Sequence, residues 1–170
     1  MTIIDRILAH ARDHPQALAI ADDTDVLTFQ QLALVITNAR GELLALGVRP
    51  GDRVGLCLPD GVAAMVASLA ALAVGAVHVP IDHHLAPPER IQLIEVTAIT
   101  WLRDSTGFHA TGNSRSPDPL GEGCSAFIRF SSGTTGAAKG VLLSHRTLLA
   151  RAEAAGRALN LLPGGRMLWL

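Results

Sequence analysis

Apolar residues recur along this chain in two rhythms, one at three- and four-residue intervals and one in short unbroken runs, and the two alternate. Ile3, Ile4, Ile7, Leu8 and Ala11 make one face of a first helix, which Thr2 can cap with Asp5 at the third helical position and His14-Pro15 ends. The run at 17–21, the polar stretch Asp22-Asp23-Thr24-Asp25 and Val26-Leu27 predict a hairpin. Thr28 and Gln31 form a capping box for a helix over 29–46, with Leu32, Val35, Ile36, Ala39, Leu43 and Leu46 inward and Gly47 as its stop. A strand over 53–58 follows the turn Arg49-Pro50-Gly51-Asp52. Asp60 is the candidate N-cap of a helix over 62–74, and a strand over 76–79 comes next.

Pro87-Pro88-Glu89-Arg90 opens another helix that runs to about Val96, and 98–102 can form one more strand. Residues 103–123, rich in Gly, Ser, Pro, Thr and Asn, predict a long loop, and a loop of that length is usually functional or mobile. A β-branched and aromatic run over 126–130 predicts a strand, and Ser144 caps a final helix over 146–159. Strands with near-continuous apolar character alternating with helices argue for an α/β fold, a mostly parallel sheet with flanking helices.

Composition narrows the classes. A chain of 170 residues with 49% hydrophobic and 17% charged residues can bury a core and is not disordered. A net charge of −1 provides no field for nucleic acid or an anionic membrane. Cys57 and Cys124 lack metal-ligand or CxxC spacing and read as reduced thiols, which together with the absence of a signal-like N-terminus implies a cytoplasmic protein. Residues 62–81 carry no formal charge over the length of a membrane span. Their alanines, Gly75, His78 and Pro80 fit a buried helix followed by a strand instead.

The chemistry concentrates after the strand at 126–130. Ser131-Ser132-Gly133-Thr134-Thr135-Gly136-Ala137-Ala138-Lys139-Gly140 is a run of small residues that lets backbone N–H groups approach an anion. Its hydroxyls add donors and Lys139 a mobile charge, so phosphate is the anion that fits. A Walker loop is excluded, because Lys139 follows Ala137-Ala138 and precedes Gly140 rather than standing between glycine and a hydroxyl. Taken alone, such a run is also the composition of a linker or a hairpin turn.

The run resembles the phosphate-binding signature of the adenylate-forming enzymes, the superfamily of acyl-CoA synthetases, luciferases and peptide-synthetase adenylation domains. Ser132-Gly133-Thr134-Thr135-Gly136, Lys139-Gly140-Val141 and Ser144-His145 carry the resemblance, with Ala138 where that family commonly has proline. Leu27-Thr28-Phe29-Gln30-Gln31-Leu32 resembles its early strand-to-helix motif, and the segment from Leu69 to Val-Pro-Ile-Asp at 79–82 its helix-Gly-Ala-strand motif. The stretch between Asp82 and Phe127 is compressed relative to the family.

The resemblance implies that residues 1–170 are the N-terminal portion of an AMP-binding domain, whose C-terminal part and small C-terminal domain would be supplied by further sequence or a separate chain. It implies an acid–thiol ligase, acyl-CoA synthetase-like and of the kind that serves fatty-acid metabolism, inert as this portion alone. The enzyme would convert a carboxylic acid and ATP, with Mg²⁺ on the phosphates, to an acyl-adenylate and then to a thioester of coenzyme A or phosphopantetheine. A peptide-synthetase adenylation domain and a nonenzymatic nucleotide- or partner-binding remnant are the alternatives. The implied nucleotide-binding residues are Ser131, Ser132, Gly133, Thr134, Thr135, Gly136 and Lys139, and His145 is assigned by analogy to the nucleotide pocket. No catalytic residue and no metal ligand is implied within the chain.

Other motifs take plainer readings. The aspartates at 22–25 lack the glycine and distal glutamate of a calcium loop and read as a solvated turn. His78, His83 and His84 lack a second ligand cluster and read as one strand histidine and two loop histidines. The Gly-x-Gly-x-x-Ala at 121–126 precedes a strand where a dinucleotide fingerprint follows one. Ser144 and His145 are neighbours that cannot pair directly, and Trp101 and Trp169 read as core residues.

Overall fold

A computed structural model describes residues 1–121, 123–131, 139–162 and 164–168. Helix α1 (Ile3–Asp13) is followed by the hairpin β1 (Leu18–Ala21) and β2 (Val26–Thr28), then by α2 (Phe29–Leu46). The chain continues through β3 (Arg53–Leu56), α3 (Val62–Val74), β4 (Val77–Pro80), α4 (Pro87–Val96), β5 (Trp101–Asp104) and β6 (Gly107–Ala110). It closes with β7 (Ser125–Ser131), β8 (Lys139–Ser144) and α5 (His145–Ala158). The main sheet has the order β6-β5-β3-β4-β7-β8, parallel from β5 to β7, with an antiparallel strand at each edge.

Local signals hold where they are self-contained. Thr2 with Asp5 and Thr28 with Gln31 both form reciprocal capping boxes. Gly47 and Gly75 end α2 and α3 in the left-handed conformation that glycine adopts without a Cβ penalty. The uncharged run at 62–81 is the buried helix α3 followed by β4, and among the described residues no helix is long and apolar enough to cross a membrane.

The sheet is covered on both faces. On the first, α1, α2, α3 and α5 bury Ile4, Leu32, Ile36, Leu69, Leu72 and Ala126, and Val54, Leu56, Ala71 and Val74 belong to a second cluster. On the second, Leu93 and Ile94 of α4 cover Val77, Val79, Ile81, Ile99, Leu102 and Ile128. Between Val54 and Leu56 the second face of β3 is Gly55. A Cβ there would come within 3.0 Å of the Cδ1 atoms of both Ile81 and Ile99. The two isoleucines occupy that space instead, and this is how α4 and its exit loop come close to the sheet.

Three expectations change. Asp60 does not cap α3: the N-cap is Gly61, which has no side chain to accept a first-turn N–H, and Asp22 Oδ2 from the β1–β2 turn accepts the Val62 N–H at 2.8 Å instead. The aspartate turn is thus a tether as well as a solvated loop. Asp22 also accepts from Thr24 and Asp25, and these N–H donors, that of Val62 first, hold its carboxyl well below the usual carboxylate range. Second, residues 103–123 are not one long loop. Asp104 accepts from Thr106 N–H and Oγ1–H to shape a turn, and Gly107–Ala110 pairs back on β5 with Phe108 stacked on Trp101 at 5.4 Å. Third, Leu58 lies beyond β3, and β5 begins at Trp101 because Ala98 takes a positive φ of 47° between α4 and the strand.

The close contact at Gly55 makes a prediction. Gly55→Ala overpacks against Ile81 and Ile99 and should lower stability by about 1–3 kcal/mol in urea unfolding. Asp22→Ala should lower Tm and speed hydrogen exchange at the Val62, Thr24 and Asp25 amides, whereas Asp60→Ala should leave all three amides as they are.

Candidate functional site at the carboxyl end of the sheet

The predicted phosphate loop falls between β7 and β8, the antiparallel pair that joins the parallel sheet to its edge strand. Ser131 is the last residue of β7 and Lys139 the first of β8, paired across the ladder. Ser132, Gly133, Thr134, Thr135 and Gly136 lie outside the described residues. β7 runs parallel to β4, with His78 opposite Phe127, so the loop leaves the sheet at the carboxyl end of the parallel strands. Open α/β sheets bind ligands outside that end, at the point where helices pass to opposite faces.

Here that point falls between β3 and β4. After β3 the chain enters α3 on the first face, and after β4 it enters α4 on the second, so the two exit loops diverge. The ladder persists to the lip of the resulting crevice: Cys57 N–H donates to Arg103 O at 2.8 Å and Ile81 N–H to Leu56 O at 2.9 Å. Cys57 is buried there with Arg90 Nη1 3.7 Å from its sulfur. Beneath the same lip on the first face, a cavity of about 460 Å³ is lined mainly by apolar side chains of α2, α3 and β3, with Arg103 and Phe108 at one side.

β7 reaches this end with a shifted alternation. A register irregularity between Ser125 and Phe127 lets Ala126 join the first-face core while Ile128 joins the second. Ser125 N–H donates to Asp118 Oδ2 at 3.1 Å and its hydroxyl to Asp118 Oδ1, which anchors the start of β7 to the loop before it. Burial opposes the Asp118 charge, but the hydrogen bonds from Ser125 and Leu120 outweigh it and hold the carboxyl below its ordinary value.

The three histidines separate. His78 points from β4 to the first face, buried, its Nδ1 2.8 Å from Ser68 Oγ and its ring edge-on to Phe127 at 4.6 Å. Burial pushes its pKa down to about 4. His83 and His84 stand exposed in the crevice loop, ring centroids 3.9 Å apart, and Asp82 joins them. The donor set at 82–84 combines two imidazoles and a carboxylate; the spacing of histidines alone groups His83 and His84 with His78 and gives no sign of Asp82.

The analogy that assigns His145 to the nucleotide pocket fails on topology. β8 carries the chain back from Lys139, so His145 lies about 20 Å away at the amino end of the parallel strands. It is buried, its backbone N–H donating to Cys124 O and its Nδ1 without a hydrogen-bond partner among the described residues. Ser144 caps α5 through the Thr147 N–H as expected.

The AMP-binding enzyme family model matches residues 7–110 and 98–170. Pyochelin synthetase PchE of Pseudomonas aeruginosa is 34% identical over 155 residues, covering 79% of this chain and 11% of that protein. Nonribosomal peptide synthetase verP of Clonostachys rogersoniana is 30% identical over 177 residues, covering 91% of this chain and 9% of that protein. The chain therefore spans about a tenth of the length of these relatives. The crystal structure of the nonribosomal peptide synthetase FmoA3 superposes with a TM-score of 0.76 at 23% identity, over 96% of this chain and 19% of that one. That likeness places the sheet and its helices in the N-terminal part of the adenylate-forming fold.

The buried histidine has a pH signature. His78 folds neutral, so the unfolded chain binds the proton first. Stability from this group is complete above the ordinary histidine pKa of 6.5 and is lost as pH falls toward about 4. Urea midpoints between those values should show uptake of about one proton on unfolding, and His78→Gln should flatten the slope.

Proposed function

This chain belongs to the AMP-binding enzyme family, and we propose that it is the N-terminal part of a peptide-synthetase-type adenylation domain, with the loop from Ser131 to Lys139 as its triphosphate clamp. The observation that carries this is the placement of the loop. Its ends, Ser131 and Lys139, are paired at the carboxyl end of the parallel strands, where a helix-flanked sheet leaves room for a ligand. The peptide synthetases among its relatives favour this reading over the acyl-CoA ligase and fatty-acid reading.

In the complete domain the carboxylate of an amino or other acid would attack the α-phosphate of ATP. The bond to the β-phosphate oxygen would break, pyrophosphate would leave with that electron pair, and an acyl-adenylate would remain. A pantetheine thiol would then displace AMP to give the thioester. The clamp's part is to hold the β- and γ-phosphates in line and offset their repulsion with hydroxyl and backbone donors and the Lys139 ammonium. Neutral donors and one cation suit phosphate oxygens rather than a metal ion, so Mg²⁺ would be carried by the triphosphate.

The portion at hand supplies binding and not turnover. Calorimetric titration of the chain with MgATP and with pyrophosphate should show binding of both, and Lys139→Ala should weaken each about tenfold, the worth of one charge-assisted contact. ATP–pyrophosphate exchange by this chain alone should be undetectable. Exchange at a substantial rate, or affinity indifferent to Lys139→Ala, would overturn the proposal.

A further inference from the structure

We infer that Asp82, His83 and His84 form a binding site for a transition-metal ion of the Zn²⁺ class at the lip of the β3–β4 crevice. One donor atom from each residue lies within 4.8 Å of the others, and all three residues are exposed. Two ligands of a tetrahedral zinc, each about 2.0–2.1 Å from the ion, stand about 3.4 Å apart. The exposed side chains close the difference by small χ rotations.

The backbone beneath them is held in place. Ile81 on one side is buried and Leu85 on the other packs against the same second-face core. Between these anchors Asp82 Oδ1 accepts the His84 N–H at 2.8 Å and Leu85 N–H donates to Asp82 O at 3.0 Å, a turn that presents all three side chains together. The ring centroids of His83 and His84 are 3.9 Å apart at 40°, so both imidazoles already share one side of the turn. Two imidazoles with one carboxylate is a donor set that selects Zn²⁺, Ni²⁺ or Cu²⁺ over Mg²⁺ and Ca²⁺. Three protein ligands leave at least one coordination position open to water or to a ligand oxygen.

The site's place in the fold gives that open position a direction. Asp82 stands four residues beyond His78 and Ser131 four residues beyond Phe127, the partner of His78, so the metal lies at the same end of the sheet as the end of β7. The inference does not rest on nucleotide binding, since its ligands belong to a different loop.

Zinc titration of the full chain, followed by calorimetry and by imidazole ¹⁵N shifts, tests it. The expected result is saturable binding that perturbs His83 and His84, is unaffected by excess Mg²⁺, and weakens about a hundredfold in the double variant His83→Ala/His84→Ala. Asp82→Asn keeps an oxygen for the His84 N–H but removes the charge, and should weaken binding about tenfold with an unchanged circular dichroism spectrum. His10 and His14, a turn apart at the end of α1 with rings 4.7 Å apart, are the competing pair, and His14→Gln should leave the affinity as it is. Binding retained in the double variant, or lost in His14→Gln, would overturn the assignment.

Discussion

Burial of β3 and β4 on both faces is the constraint from which the rest of this structure follows. A parallel pair buried on both sides needs a helix on each face. The chain supplies them in succession, α3 after β3 and α4 after β4, on opposite sides. Gly55 is where the second-face core comes closest to the β3 backbone, because Ile81 and Ile99 fill the volume a side chain would take. Sending consecutive helices to opposite faces parts the loops at the carboxyl ends of the strands. The crevice is a consequence of how the core is covered.

The edges are made differently. β7 enters parallel to β4 and turns back as β8, so the glycine- and hydroxyl-rich segment is the link of an antiparallel hairpin. Hairpin link and phosphate clamp, which composition alone leaves as alternatives, do not exclude one another: the ladder fixes the two ends of the segment at Ser131 and Lys139. The same hairpin sends His145 to the far end of the sheet, where it is buried away from the crevice.

Polar contacts between separate elements tie the pieces together. Asp22 joins the small hairpin to the start of α3, Asp118 holds the first residue of β7, and Arg53 Nη1 donates to Thr97 O at 2.6 Å where α4 ends. Each satisfies a backbone group at the end of an element, where a helix or strand has no internal partner to offer.

Much of the architecture was legible from sequence because its causes are local. Capping boxes at Thr2 and Thr28, glycine stops at 47 and 75, prolines opening α4 and unbroken apolar strands act over a few residues, and each falls where the spacing of side chains predicts. The family likeness was equally plain, since it rests on residue order alone. What escaped depends on pairing and burial that no local pattern encodes. Asp22 outcompetes Asp60 as the cap of α3 because the hairpin brings it there, a separation of forty residues that no local pattern encodes. Gly107–Ala110 becomes a strand because β5 offers an edge and Trp101 a stacking face. His78 parts from His83 and His84, and Asp82 joins them, because β4 ends between the two groups and pleating turns His78 inward while the exit loop turns the others to solvent. Order along the chain names the candidate groups; pairing and burial in three dimensions choose which of them meet.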